Sequence, residues 1–328
     1  MGMRANLVIV RGQDWCLYYD HWCANRLDNE LFWGPLPAAE FIEQREPLSD
    51  RDDWLDEIWC EGAAVLDEDR KVLVWFGGEN IFYDILDRRA FLDLMRCQWQ
   101  GWEIRWAAGG IVEVGAYLGL PAEKFLADTT PEDGFWINTE YPEKNDILIT
   151  VRQQGRCLAG RVCGDVNALE LGSSQLALLL DVAREPALPW TGDRSNGGVH
   201  IDLDARSLYY WLASPAAGID DRVGFSWSEW QTVWLRDRFE EHLRLAAIDI
   251  RLPQRDLAEL QRSQLHHLRK NCTHIASNPA RELGPKLGNV EINPWTDVNR
   301  SSVGFVTEKF RILDALESRL PIGGAAMI

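Results

Sequence analysis

No apolar run in this chain approaches the roughly 18 residues that a membrane helix needs. Its start, MGMRANLVIV, reads as a charged opening followed by a strand, without a secretory cleavage site, so a cytoplasmic protein is expected. There is no G-x-x-x-x-G-K-[ST], no G-x-S-x-G and no H-E-x-x-H, and the pairs Gly77-Gly78 and Gly197-Gly198 lie beside strands without opening a phosphate loop. Common hydrolases and nucleotide-dependent enzymes are thereby disfavoured. Positive charge is scarce: 34 Lys and Arg stand against 51 Asp and Glu, a formal net charge of −17. Nucleic acid and anionic membrane surfaces are poor partners for such a chain, because both are bound through Lys and Arg. The natural counterpart is a basic protein. The seven Cys are odd in number and not spaced as a disulfide framework, which agrees with a reducing compartment. Two trios, Cys16/His21/Cys23 and His267/Cys272/His274, lack the CxxC or HxxxH knuckle that gathers metal ligands, and neither metal nor cofactor is expected.

What is present is aromatic. Sixteen Trp in 328 residues, within a composition that is 46% hydrophobic, point to a wide aromatic core. The segment VRGQDWCL (Val10 to Leu17) also reads as a near-copy of VRQQGRCL (Val151 to Leu158). Further matches follow in the same order: Cys23 with Cys163, Arg45-Glu46-Pro47 with Arg184-Glu185-Pro186, Arg70 and Trp75 with Arg206 and Trp211, and WEIRW (Trp102 to Trp106) with WQTVW (Trp230 to Trp234). Ordered matches with slowly drifting spacing are the mark of an internal duplication.

The expected fold is therefore α+β. Two diverged copies of an antiparallel hairpin-helix-hairpin-helix-strand module span 1–125 and 141–250, and a helical extension over 251–328 packs on both. Hairpins turn at Gly12-Gln13, Glu68-Asp69, Gln154-Gly155 and Asp204-Ala205. Helices are expected over Pro35–Glu46, Arg88–Trp99, Gln254–Lys270 and Thr307–Leu320, and behind Ser173 and Ser174 as caps. The second copy has no evident counterpart to Arg88–Trp99, which implies a lost or shortened helix. Trp75 and Trp211 should occupy equivalent buried sites.

The densest block of carboxylate, EFIEQREPLSDRDDWLDEIWCEG (Glu40 to Gly62), fits a helix from about Asp52, with Trp54, Leu55, Ile58 and Trp59 on its inner side. Its outer carboxylates, Asp50, Asp52, Asp53, Asp56, Glu57 and Glu61, together with Trp54, form a candidate partner surface. Aromatics beside turns in LFWGP and LVWFGGEN add Trp33, Phe76 and Glu79 as candidate contacts. No catalytic residue stands out.

A strongly acidic, Trp-rich, motif-poor α+β chain with LFWGP and LVWFGGE segments resembles the cytoplasmic immunity proteins of bacterial polymorphic toxin systems. That resemblance implies a protein that neutralises a cognate toxin by occluding its active site, the toxin domain being basic and acting on nucleic acids or nucleotides. The alternative is an enzyme without a recognisable motif, working in the cleft between the repeats, for example to reverse a toxin's modification.

Overall fold

A computed structural model describes residues 3–127, 131, 133–137, 146–189, 195–251, 255–273 and 303–321. The fold is mixed α+β with two mixed sheets, divided between two compact units. The first holds Met1–Phe82, Leu86–Phe125 and Arg255–Ile328; the second holds Tyr83–Ile85 and Leu126–Gln254. Among the described residues no helix is long and apolar enough to cross a membrane.

In the first unit, β1 (Ala5–Arg11) and β2 (Asp14–Asp20) form a hairpin whose turn residues Gly12 and Gln13 both have positive φ, 62° and 66°. This is the backbone that matches strand twist, and Gly supplies half of it without strain. The chain then forms α1 (Leu27–Leu31) and α2 (Pro35–Glu43), the latter opened by Pro35, and a short edge strand β3 (Glu46–Pro47). A second hairpin, β4 (Gly62–Asp67) and β5 (Val72–Phe76), is followed by α3 (Glu79–Phe82), α4 (Ile85–Gln98), β6 (Glu103–Trp106) and α5 (Gly110–Tyr117). The sheet order is β3-β2-β1-β4-β5-β6. Each hairpin is antiparallel within itself, but β1 lies parallel to β4 and β5 parallel to β6. Central strands are buried on both faces, as parallel pairing requires. Ile9, Leu7, Ala64, Leu66, Leu73 and Trp75 face a core shared with Leu31, Phe32, Ile42, Phe91, Met95 and Trp99. α5 packs on β4 and β5, bringing the buried Ile111 and Val114.

In the second unit the strands are β7 (Asp146–Gln153), β8 (Arg156–Cys163), β9 (Ala187–Pro189), β10 (Gly197–Asp202), β11 (Ser207–Leu212), β12 (Gln231–Trp234) and β13 (Asp249–Arg251). The main sheet runs β12-β11-β10-β7-β8, and β9 pairs with β13. Its pairings have the same senses as in the first unit: β7/β8 and β10/β11 antiparallel, β7/β10 and β11/β12 parallel. The helices are α6 (Leu176–Val182), α7 (Ile219–Ser226) and α8 (Phe239–Ala246). At the place where a lost or shortened helix was expected stands α7, with 8 residues where α4 has 14. Ser173 and Ser174 do not cap α6: Gln175 precedes it without a side-chain cap, and Ser174 Oγ donates to the Leu171 carbonyl.

Strand pairing gives a register that differs from the letter matches. The turn Gly12-Gln13 answers to Gln154-Gly155, a spacing of 142, because these are the residues with positive φ. Val10 is opposite Asp67, whereas Val151 is opposite Ile201 and it is Arg152 that faces Asp202. So VRGQDWCL and VRQQGRCL occupy the same hairpin one residue out of step. Leu17 is buried at 1% exposure while Leu158 is exposed at 37%. The same holds for Trp75, whose counterpart is Tyr210: each pairs with the edge strand at a Trp, Trp106 or Trp234. Trp211 is buried too, but on the opposite face of its sheet, so the expected equivalence of Trp75 and Trp211 is wrong by one residue. A one-residue slip in a strand sends every side chain to the other face. The match of WEIRW with WQTVW holds in register.

Other details recur in both units. Asp69 accepts the amides of Gly12 and Gln13 (3.0 and 2.8 Å), and Asp204 accepts those of Gln154 and Gly155 (2.9 and 3.2 Å). Trp99 Nε1 donates to the Leu31 carbonyl at 2.9 Å and Trp227 Nε1 to the Leu169 carbonyl at 2.8 Å. Each of these rings meets a second Trp edge-on, Trp102 at 5.2 Å and Trp230 at 5.5 Å.

The extension contributes α9 (Leu257–Thr273) and α10 (Val303–Glu317). Leu265, Leu268, Leu313 and Leu316 join the core of the first unit, and Arg269 pairs with Asp314 and Glu317 to hold the two helices together. Gln264 Nε2 donates to Asp87 on α4 at 2.9 Å.

The indole hydrogen bonds carry a stability prediction. Trp99→Phe and Trp227→Phe each leave a buried carbonyl without its donor and remove ring volume, and each should cost roughly 2–4 kcal/mol in urea unfolding. Trp59→Phe, at an exposed position, should cost well under about 1 kcal/mol.

Candidate functional site

The acidic tract does not form a helix. Residues 48–61 run as successive turns, since the carboxylates capture the amides a helix would use: Asp50 Oδ1 accepts Asp52 N at 2.8 Å, and Asp56 Oδ1 accepts Ile58 N and Trp59 N at 3.0 Å. Asn6 Oδ1 takes Leu55 N at 2.7 Å. Short polar side chains that bond their own backbone compete with helix in this way.

The turns split the tract's aromatics. Trp54 points inward, 5.9 Å from Trp15 and edge-on to Phe125 at 5.3 Å, so it is a packing residue more than a surface anchor. Trp59 and Ile58 point outward, 53% and 51% exposed. Beside them lies the start of β1. Arg4 N donates to Glu61 Oε2 at 2.7 Å, Glu61 N donates back to the Arg4 carbonyl, and the Arg4 guanidinium lies over the Trp59 ring at 4.6 Å. On the other side Met3 N donates to the His21 carbonyl at 3.0 Å, which brings the exposed Trp22 alongside. Trp22 stands edge-on to His21 at 4.7 Å, and His21 Nδ1 is bonded to the Tyr19 hydroxyl. Ile58 and Trp59 are thus exposed neighbours on this loop, and Met3 and Trp22 are exposed where the His21 carbonyl holds the start of β1. Apolar side chains gathered at the surface mark an interaction site.

The carboxylates continue along that loop. Asp50, Asp52 and Asp53 are exposed, with Asp52 bonded to Lys124; Glu57 is half-buried, its amide donating to the Phe125 carbonyl at 2.8 Å. Asp50, Asp56 and Glu61 are engaged in holding the loop itself. The two aromatics expected beside turns are not available: Trp33 is buried, its Nε1 donating to the Asn29 carbonyl at 2.6 Å under the Lys309 ammonium, and Phe76 is buried on β5. Glu79, which opens α3, is exposed. Of the expected contacts, Trp54, Trp33 and Phe76 are turned into the packing. The run of Asp at S-D-R-D-D was the available signal for turns.

A second cluster was invisible in the sequence because its members lie far apart along the chain. Asp28, on α1, is 1% exposed and meets no cation among the described residues. It accepts from Asn29 N and Nδ2 at 2.8 and 3.0 Å and from Asn80 Nδ2 at 3.4 Å. Burial pushes its carboxyl up to about 7, the neutral donors offsetting only part of the cost. Asn80 also donates to His267 Nε2, as does Asn271 at 2.7 Å, which fixes that imidazole with its proton on Nδ1. Burial lowers the His267 pKa. A carboxyl that titrates near neutrality can hold or release a proton there, but Asp28 is buried, with the exposed Asn80 bonded to it and to the half-buried His267.

The two Cys/His trios, from which no metal site was expected, bring no such site together among the described residues. Cys16 is exposed, Cys23 is fully buried, and His274 lies outside the described residues. Among the described residues no group of three His, Cys, Asp or Glu is placed to hold a metal ion.

Asp28 yields a pH prediction. Its folded pKa is above the unfolded value of about 3.9, so the folded state binds the extra proton and stability falls as pH rises from about 4 through 7. Asp28→Asn keeps the shape and an acceptor without the charge. It should melt higher than wild type at pH 8, with the advantage gone below about pH 4, as followed by thermal unfolding. No family profile, characterised protein or solved structure matches the chain.

Proposed function

We propose that this chain is a binding protein that neutralises a basic partner by covering its active cleft, in the manner of an immunity protein acting on a cytoplasmic toxin domain that targets nucleic acids or nucleotides. The observation that carries this reading is the outward loop of the first unit, where the exposed Trp59 and Ile58 sit at one end of a carboxylate-rich stretch. Carboxylates steer a basic surface at a distance, and exposed Trp rings supply the anchors that set residence time. The net charge of −17 adds to the steering.

An enzymatic reading has one observation in its favour, the buried Asp28 with its pKa near neutrality. The geometry weighs against it, because Asp28 itself is closed to any substrate.

The two units also read as descendants of one module by duplication. What supports this is the common strand order and sense, the paired Asp69 and Asp204 bridges, and the indole bonds of Trp99 and Trp227. The similarity in letters at Val10–Leu17 adds less, since those letters are out of register.

Co-expression with the products encoded beside this gene tests the binding reading. A stable complex with a basic domain is expected, and Asp52→Lys/Asp53→Lys should slow association and flatten its dependence on salt. Trp59→Ala should speed dissociation by about tenfold or more, with the melting temperature unchanged. Asp50, Asp56 and Glu61 are unsuitable for charge reversal because they brace the loop. Variants that bind and protect as wild type does would remove this face from the account.

A further inference from the structure

The second unit contains a buried imidazole layer at positions where the first is apolar. Thr150 Oγ1 lies 2.7 Å from His200 Nδ1 and 2.7 Å from His242 Nε2, and Trp211 Nε1 donates to His242 Nδ1 at 2.9 Å. All three strand residues face α8, and both imidazoles are fully buried. The direction of the chain is fixed from one end. Trp211 can only donate, so His242 Nδ1 accepts and His242 carries its proton on Nε2, donating to Thr150. The Thr150 hydroxyl then donates to His200 Nδ1, leaving the His200 proton on Nε2, an atom without a partner.

The equivalent register positions in the first unit are apolar. Thr150 is opposite His200 as Val8 is opposite Val65; Trp211 corresponds to Phe76, and His242 on α8 to Val114 on α5. Val8, Val65, Val114 and Phe76 are all buried. Even the neighbouring residue has changed to suit. Gly198 stands where the first unit has Ala63, and a Cβ at Gly198 would lie 2.2 Å from Trp211 Nε1 and 2.6 Å from His242 Nδ1. The same frame is therefore packed without these groups in the first unit, so folding alone does not call for them.

We propose that the Trp211–His242–Thr150–His200 chain is an acid-sensitive latch, which holds α8 on the second sheet at neutral pH and releases it when the pH falls. The chain has no place for an added proton at its centre. A protonated His242 would turn an Nδ1–H against the Trp211 N–H, two donors face to face, in a site closed to water. Burial holds both imidazoles neutral, down to about 4 for His200 and about 3 for His242; Arg152 opposes a charge on His200 while Asp202 offsets part of that, and a charge on His200 would in turn oppose one on His242. In the released state both return to about 6.5. The latch is thus fully closed above about pH 6.5 and weakens as pH falls below it, the open state binding the extra protons.

The other titratable groups facing the layer are few. β7 brings Arg152, which pairs with Asp202 of β10 at 3.6 Å and also donates to the Leu245 carbonyl near the end of α8. β11 brings Tyr209, whose ring is 6.0 Å from that of His200, and β8 brings Cys157 opposite Arg152. On α8, Glu240, Glu241 and Arg244 lie away from the layer, Glu241 and Arg244 bonded to each other. Arg152 remains charged throughout, so its tether to Leu245 does not supply the acid response.

Hydrogen exchange of α8 amides, normalised for the intrinsic pH dependence and referenced to α5, reads the latch directly. Each imidazole protonated only in the open state changes the opening equilibrium tenfold per pH unit, so α8 protection should fall by up to about 100-fold per unit between pH 6.5 and 4.5, while α5 does not follow it. The variant Thr150→Val/His200→Val/His242→Val/Trp211→Phe, which installs the first unit's residues, should keep α8 protected across that range. A wild-type α8 that stays as protected as α5 at pH 4.5 overturns the proposal, whether or not the variant folds. So does a folded variant that opens in acid as wild type does.

Discussion

Each unit depends on a carboxylate that ties two hairpins together at their turns. Gln13 and Gln154 adopt left-handed backbone that a non-glycine residue disfavours, and Asp69 and Asp204 reach across from the neighbouring hairpin loop to bind the turn amides. The first hairpin is thereby fixed in register against the second. Once β1 lies parallel to β4, and β7 to β10, the chain has to cross a face of the sheet to return, which α1 and α2 do in the first unit and α6 with its preceding turns does in the second. Central strands then have helices over them and are buried on both faces.

The two units use that frame differently. The first is apolar at Val8, Val65, Phe76 and Val114, has Asp67 bonded to Tyr117 of α5, and carries carboxylates and the exposed Trp59 on an outward loop. In the second the corresponding layer is a directed hydrogen-bonded chain that tolerates no extra proton. Polar groups at such depth add little net stability over well-packed apolar ones. Their presence at these positions in one unit and not in the other is what ties them to conditions instead of to folding.

Much of the frame was legible in the residues. Alternating apolar runs bounded by Gly, Gln and Asp located all four hairpins, and the spaced Trp of WEIRW and WQTVW located the edge strands β6 and β12 in register. The failures have physical causes. Letter matching put Val10 with Val151 and Trp75 with Trp211, but a turn fixes register by backbone sign, which letters do not record. The tract around Asp52 has helical spacing of its apolar residues, yet Asp50 and Asp56 divert the amides. Trp33 and Phe76 sit beside turns and are still buried, since adjacency in sequence says nothing of what packs over them. Asn80 with Asp28 and His267, and Thr150 with His200 and His242, are contacts across long stretches of chain that no local pattern announces.

Everything said of equivalent positions rests on the register of the two parallel strand pairs. Backbone NOEs in the deuterated, isotope-labelled protein measure it. The account predicts inter-strand contacts that place Val151 beside Ile201 and Thr150 beside His200, matching Ile9 beside Leu66 and Val8 beside Val65. Contacts placing Val151 beside Asp202, as Val10 lies beside Asp67, would restore the letter alignment and contradict it.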